Sequence, residues 1–214
     1  MNKILKESKE KDDDYGDFLF LKHFLERCES DIGVTRGAVQ SLPKEDDWSF
    51  IIKLAAILEK SLNHLICKDI NDQYIEPLIL ELPLARKIQQ AYIRKLIDHT
   101  TKSKFSFIVK ARNEAAHTIS FTFKDYFKDI DILNEFIPKF QDVWNDPVNI
   151  GGKTISRKKF LKENPKLTLF LNLIEKISHT NVDIEIAKIK KNREQLQYTQ
   201  IFFKSFLKGL APDK

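Results

Sequence analysis

Residues that interrupt helices are scarce in this sequence, which has six glycines and seven prolines among 214 residues. Long helices can therefore run without a break, because glycine and proline are the residues that helix interiors tolerate least. Hydrophobic residues make up 42% of the chain and charged residues 31%, a balance typical of globular proteins. The composition predicts an all-α fold, and the length suits one domain with a substantial core.

The chain also lacks the sequence signals of metal sites, membrane spans and common cofactors. Its two cysteines, Cys28 and Cys67, belong to no CxxC pair and have no histidine at metal-ligand spacing, so both are predicted to be free thiols. No apolar run approaches the roughly 20 residues that cross a bilayer, and residues 1–14 lack the apolar centre of a signal peptide. No P-loop, dinucleotide fingerprint or nucleophilic triad is present. We therefore expect a cytoplasmic protein with no metal, no cofactor and no membrane partner.

The net charge gives only a weak indication of a nucleic-acid partner. The formal charge of +5 arises from 36 basic and 31 acidic residues, so most charges can neutralise one another. Two basic stretches, residues 153–166 and 188–193, are consistent with binding to phosphates. Solvated helix ends explain them equally well, and both interpretations stay open.

Apolar residues recur at helical spacing along most of the chain. The clearest predicted helix begins at Asp46 or Asp47 and extends to Ile66, with an apolar arc wide enough for the centre of a bundle. The remaining pattern predicts helices near residues 84–97, 103–117, 125–144, 167–177 and 182–207, with a turn at 145–152. Ser103 is the expected cap of the second of these helices, and Ile93 and Ile130 belong to the apolar faces of the first and third. Alternation of Ile119, Phe121 and Phe123 with polar residues predicts an extended segment at 118–123. These elements predict an up-and-down bundle of about five to seven helices.

The domain organisation follows from the same pattern. Residues 1–14 are predicted to be a charged leader, and residues 15–210 a single helical domain. Within this domain, residues 182–207 form a predicted C-terminal helical extension.

The block from Arg112 to His117 is the strongest indication of function. It places an arginine, the amide of Asn113 and a histidine near one helix end. Asn113 and His117, four residues apart, share a helix face, whereas Arg112 and His117 diverge by about 140°. A common site then requires the flexible arginine stem to reach round the helix, or a second copy of the chain to face the first across a twofold axis.

This set of groups suits RNA cleavage without a metal. A histidine can take or give the proton of a 2′-hydroxyl near neutral pH, and a guanidinium can hold a phosphate as its charge increases. Asn113 would orient the phosphate or the imidazole. The products would be a 2′,3′-cyclic phosphate and a 5′-hydroxyl, and DNA would not be cut.

A structural role is the alternative interpretation of the block. Arg112 would then form a surface ion pair and His117 would be a polar residue at a helix end. The spacing itself is not rare, because Arg94 and His99 are also five residues apart. In that pair Lys95 follows the arginine, where the block has Asn113.

The block resembles the R-[polar]-x-x-x-H signature of the HEPN superfamily of helical nucleotide- and RNA-associated domains. Within it, the order of segments from about residue 48 to residue 178 is most similar to the mannitol operon repressor family. The resemblance implies an HEPN-like bundle and a homodimer. It also implies a metal-independent endoribonuclease acting on RNA. In such an enzyme Arg112 clamps the phosphate, His117 acts as acid and base, and Asn113 orients the phosphate or the imidazole.

The resemblance leaves a second function open. Many relatives of this kind act in toxin and antiviral defence systems, so an antitoxin is one expected partner. The repressor-like relatives suggest instead a non-catalytic regulatory module that acts through a partner protein. No helix-turn-helix with a basic recognition helix is evident in the sequence.

Overall fold

The computed structural model describes Glu26 and residues 29–30, 33–150 and 153–177, and helices dominate them. This confirms the predicted all-α class. A short antiparallel hairpin, in which Val148 pairs with Ile155, occupies the predicted turn. The α-helices are α1 (Ala38–Ser41), α2 (Asp47–Ile70), α3 (Glu76–Leu80), α4 (Leu84–Ile93), α5 (His99–His117), α6 (Phe123–Tyr126), α7 (Ile130–Phe140), α8 (Arg157–Glu163) and α9 (165–177); the 3-10 turns are Leu42–Lys44 and Gln141–Val143, and the strands are β1 (Val148–Ile150) and β2 (Lys153–Ile155).

Helix α2 lies at the centre of the bundle, as its apolar pattern predicts. Its first turn is capped by Asp46, whose carboxylate accepts a hydrogen bond from the backbone N–H of Ser49 at 2.9 Å. The helix packs against both α4 and α5. Its fully buried apolar side chains include Phe50, Leu54 and Leu58, so α2 supplies much of the core.

Helix α5 carries the Arg112 to His117 block and begins earlier than the sequence predicts. Ser103 was the expected cap, but the helix starts at His99 because the carboxylate of Asp98 accepts from the backbone N–H of Thr101 at 2.6 Å. The helix ends at His117, as expected, so the block occupies its last turns. A line of buried side chains holds α5 in the bundle: Phe105, Phe107, Ile108, Ala111 and Ala115.

The two helices that flank α5 are shorter than predicted. The helix expected at 84–97 ends at Ile93, and Lys95 then adopts a left-handed backbone with φ of 59°. The helix expected at 125–144 is divided into α6, α7 and a 3-10 turn. Ile93 and Ile130, which the apolar pattern placed inward, are both exposed. Their spacing fits a helix, but each lies at an end where the chain changes direction.

The segment after α5 is a turn, and not the extended segment predicted for residues 118–123. Phe121 and Phe123 are buried, whereas Ile119 is 92% exposed. The alternating pattern therefore identified two core residues and assigned the wrong backbone.

Two predicted regions lie outside the described residues: the charged leader at 1–14 and the C-terminal helix at 182–207. Among the helices that the structure describes, none is both long enough and apolar enough to cross a bilayer.

Candidate functional site

The block sits on the last turns of α5, with Ala115 facing the core and its polar residues facing solvent. Ala111 and Ala115 are fully buried against the bundle. Arg112, Asn113 and His117 are all exposed. The buried alanines fix the rotation of the helix about its axis, and so the face on which the polar groups appear.

Two hydrogen bonds hold the end of α5 and the start of α6 against the start of α2. The indole Nε1 of Trp48 donates to the carbonyl oxygen of Ala115 at 2.8 Å. The carboxylate of Asp47 accepts from the backbone N–H of Phe123 at 2.9 Å. The last helical carbonyls have no partner inside the helix, and the oxygen of Ala115 accepts from both the Trp48 indole and the backbone N–H of Thr118. The turn between α5 and α6 is thereby fixed at both ends.

Among the described residues, the guanidinium of Arg112 is hydrogen-bonded to an amide and not to a carboxylate. Its Nη1 donates to Oδ1 of Asn113 at 3.1 Å, and no carboxylate of the described residues lies within ion-pair distance. This differs from Arg36, Arg94 and Arg157, each of which pairs with a glutamate or aspartate. The surface ion pair expected of a purely structural Arg112 is therefore not observed in this part of the chain. Its remaining N–H donors are available to an anion.

His117 is the final residue of α5 and is exposed. Within the described ranges its imidazole makes no hydrogen bond or ion pair, while the carbonyl oxygen of Ala115, two residues before it, accepts from Thr118 N at 3.2 Å. Both ring nitrogens are thus accessible to a ligand.

A groove of about 430 Å³ separates α2 from α5 next to the first turn of α4. Arg112 and Asn113 line it, together with Val109 of the same helix. His117 is not among its lining residues. A single chain therefore brings Arg112 and Asn113 to a common cavity and leaves the histidine outside it. The separation of Arg112 from His117 agrees with their angular divergence on the helix, whereas Asn113, expected on the face of His117, lines the groove with Arg112.

The second Arg–His pair of the same spacing has a different environment. Arg94 pairs with Asp69 at 2.6 Å, and the ring of His99 lies edge-on to Tyr92 with centroids 6.3 Å apart. Arg94 also caps α4 while His99 begins α5, so the two are not on one helix. Spacing alone does not distinguish the two pairs, but among the residues that the structure describes Arg94 has a carboxylate at ion-pair distance and Arg112 has none.

Charged residues on the outer side of α5 form a separate small network. Glu135 of α7 accepts from Lys110 at 2.8 Å and from Lys139 at 2.7 Å, and these two hydrogen bonds lower the pKa of Glu135. The neighbouring phenol of Tyr126 is buried, and desolvation raises its pKa well above the ordinary value. These groups are neutralised or buried, and none of them lines the groove beside Arg112.

Sequence reasoning missed two residues that shape the groove. Glu59 lines it from α2, and its Oε1 accepts from Nζ of Lys87 at 2.6 Å. Lys87 is fully buried and also donates to the carbonyl oxygen of Leu80 at 3.0 Å. Nothing in the local sequence marks this pair, because the two residues are 28 positions apart and meet only in the folded chain.

The described residues contain no group of three or more histidine, cysteine, aspartate or glutamate side chains arranged to hold a metal ion. Cys67 is a half-buried free thiol, and burial raises its pKa; Cys28 lies outside the described residues. Comparisons with protein-family models, curated proteins and solved structures give no match to this chain. The assignment to the HEPN superfamily accordingly stays a prediction that rests on the block and its helical setting.

Proposed function

We propose that the protein is a metal-independent endoribonuclease of the HEPN type, in which Arg112 and Asn113 bind the scissile phosphate and His117 transfers protons. The observation that carries the proposal is the state of Arg112. Its guanidinium is exposed, is oriented by the Asn113 amide, and faces a groove without a neutralising carboxylate at ion-pair distance among the described residues. A planar cation in that state is suited to bidentate contact with a phosphate.

The reaction requires one proton acceptor and one proton donor. A neutral imidazole of His117 takes the proton of the 2′-hydroxyl as the 2′-oxygen attacks phosphorus and the bond from phosphorus to the 5′-oxygen breaks. A protonated imidazole supplies the proton to the departing 5′-oxygen. The products are a 2′,3′-cyclic phosphate and a 5′-hydroxyl, and Arg112 stabilises the charge that develops on the phosphoryl oxygens.

A twofold dimer supplies both protonation roles and removes the geometric difficulty of the single chain. Arg112 and His117 lie on different faces of α5, so one copy does not direct both groups at one phosphate without a large excursion of the arginine. Two copies of the helix end, placed across a twofold axis, would present two histidines and two arginines to one cleft. Ile119, two residues beyond His117 and 92% exposed, offers an apolar contact for the second copy.

The experiment is cleavage of mixed RNA by the purified protein in the presence of EDTA. The Arg112→Ala/His117→Ala variant is expected to lose the activity. The matched control is Arg94→Ala/His99→Ala, which removes the same residue types at the same spacing and should leave cleavage at the wild-type level. Equal residual cleavage by wild type and by the Arg112 and His117 variant would indicate a contaminating nuclease and would refute the assignment.

The exposed Ile119 also favours the second function, a non-catalytic module that binds an antitoxin or a regulatory protein. An isoleucine that is 92% exposed can contribute apolar area to a contact with another protein. In this case wild type would cleave no RNA, and Ile119→Asp would abolish partner binding or dimerisation. If the Ile119→Asp variant kept both partner binding and dimerisation, that result would count against a non-catalytic module.

A further inference from the structure

The groove beside Arg112 has opposite chemistry at its two ends. Helices α2 and α5 run antiparallel, since Trp48 meets Ala115 at one end and Leu62 lies beside Phe105 farther along. Arg112 and Asn113 are therefore level with the Ile52 end of the groove. Glu59 lies at the other end, seven residues or about 10 Å along the α2 axis from Ile52. A cation and an amide face one end, and a carboxylate faces the other.

The floor and walls between these ends are apolar and small. Ala55, Ala56 and Ala85 line the groove together with Val109 and Leu84. Alanine side chains leave space for a flat group, and the volume of about 430 Å³ falls within the range of roughly 300 to 1,000 Å³ found for ligand pockets. The groove thus offers an apolar slot flanked by polar ends.

The carboxylate of Glu59 is held in place by a buried cation. The side chain of Lys87 is 1% exposed and that of Glu59 is 40% exposed, so the lysine anchors Glu59 from below while Glu59 faces the groove. The Nζ of Lys87 donates to Oε1 of Glu59 and to the carbonyl oxygen of Leu80. Within the described part of the chain, Oε2 of Glu59 has no hydrogen-bond partner and is available to a donor on a ligand. The lysine also offsets the repulsion between this carboxylate and an anionic strand.

From this arrangement we infer that the groove is a nucleotide subsite that selects the base beside the bound phosphate. The phosphate binds Arg112, the base lies in the alanine-lined slot, and Glu59 accepts a hydrogen bond from the exocyclic amino group of adenine, cytosine or guanine. Uracil carries no exocyclic amino group, and its N3–H donor lies between two carbonyl oxygens that the carboxylate repels, so uracil is disfavoured. Glu59 is then a specificity-determining residue and Lys87 a positioning residue. The inference rests on the proposed function for its biological setting.

Binding of nucleoside monophosphates to the whole protein tests the subsite without requiring cleavage. In NMR titrations, AMP, CMP and GMP are expected to bind wild type about tenfold more tightly than UMP, the worth of one charge-assisted hydrogen bond at a half-exposed site. Adenosine, which lacks the phosphate, should bind more weakly than AMP. Arg112→Ala should weaken the binding of all four nucleotides.

Two sets of variants separate the groove from the rest of the surface. Ala56→Leu/Ala85→Leu fills the slot from two exposed positions and should weaken AMP binding at least tenfold, whereas Thr100→Leu, at an exposed position in the first turn of α5 away from the groove, should not. Glu59→Gln should remove the preference over UMP. Glu59→Gln/Lys87→Met should do the same while avoiding an unpaired buried charge.

Failure of the subsite and failure of the nuclease are distinguishable. Equal binding of all four nucleotides, absence of binding by any of them, or AMP binding by Ala56→Leu/Ala85→Leu that matches wild type would overturn the inference, even for a protein that cleaves RNA. The expected binding pattern in a protein that cleaves no RNA would uphold the subsite and reject the nuclease. His117→Ala should bind AMP like wild type, because the histidine lies outside the groove.

Discussion

Trp48 and Ala115, 67 positions apart, are joined by a hydrogen bond of 2.8 Å from the indole N–H to a carbonyl oxygen in the last turn of α5. We predict that Trp48→Phe keeps most of the packing and lowers the free energy of unfolding by about 1 kcal/mol, the usual net worth of such a bond. RNA cleavage should fall as well, because the end of α5 that carries His117 is less well held.

The control for this prediction is Trp144→Phe. Trp144 donates to the hydroxyl of Thr168 at 3.3 Å, away from the block. Urea unfolding followed by circular dichroism should show a loss of stability in both variants, and cleavage assays a loss of activity in Trp48→Phe alone. Unchanged cleavage by Trp48→Phe would show that this bond has no part in positioning the block.

Asp98, the cap of α5, should make stability sensitive to acid. The hydrogen bond from the backbone N–H of Thr101 lowers the pKa of Asp98 from its ordinary value of 3.8. The folded state therefore favours the charged carboxylate. The stabilising contribution of the Asp98 carboxylate to the free energy of unfolding is fully present above pH 3.8. It is lost as the pH falls through the lower pKa of the folded state.

Asp98→Asn tests this dependence, since asparagine caps helices nearly as well as aspartate and has no charge to lose. Its unfolding free energy should lie close to wild type at neutral pH and decline less steeply below pH 3.8. Asp98→Ala should lose about 1 kcal/mol at neutral pH. Urea unfolding at a series of pH values gives both results, and identical acid slopes for wild type and Asp98→Asn would contradict the prediction.

Parts of this fold were predictable because their causes are local. The apolar arc of α2 and its Asp46 cap lie within one stretch of sequence, and the predicted helix agrees with the observed one at its start. The start of α5 was misassigned because Asp98 and Ser103 are both good caps, and the local sequence does not say which one the helix uses. Ile119 fitted an alternating pattern that the turn does not follow.

The candidate site, like the fold, was predictable only where its causes are local. The position of the block at the end of a helix followed from periodicity, and the different directions of Arg112 and His117 followed from helix geometry. The groove could not be predicted from the sequence, because its walls come from three helices. The pairing of Glu59 with buried Lys87 depends on how α2 and α4 pack, which periodicity does not report.

The ion pair of Lys104 with Asp142 should respond asymmetrically to substitution. The side chain of Lys104 is 2% exposed and its Nζ donates to both oxygens of Asp142, at 2.8 and 2.7 Å. Asp142→Ala leaves a buried ammonium without its carboxylate, and because the side chain of Asp142 is itself 55% exposed the cost should be about 2 kcal/mol, less than for a fully buried pair. Lys104→Met removes the buried charge and should cost less. Lys128→Met, in an exposed pair with Asp125, should change stability by less than about 0.5 kcal/mol. Urea unfolding at neutral pH ranks the three variants, and an equal cost for Asp142→Ala and Lys104→Met would refute this account.

Arg112→Lys tests whether the block needs a planar cation or only a positive charge. Lysine keeps the charge and loses the paired N–H donors that match a phosphate, and it does not reproduce the bond to Asn113 Oδ1 in the same plane. We expect kcat for RNA cleavage to fall by about 100-fold, near the effect of removing one transition-state hydrogen-bond donor. Single-turnover cleavage of a defined oligonucleotide gives the value. Wild-type kcat in Arg112→Lys would mean that charge alone suffices.

Complementation between two inactive variants tests the twofold site directly. Arg112→Ala and His117→Ala should each be inactive as homodimers, because the first lacks both guanidiniums and the second both imidazoles. A mixed dimer retains one of each. If the two copies share one cleft, these groups can act on the same phosphate, so mixing the variants after partial unfolding and refolding should restore part of the cleavage. If each chain uses only its own residues, every site in the mixture still lacks one group and cleavage stays absent.

Refolding each variant alone provides the baseline, and light scattering establishes that the refolded mixture is dimeric. Restored cleavage therefore requires that the arginine of one chain and the histidine of the other reach a common substrate.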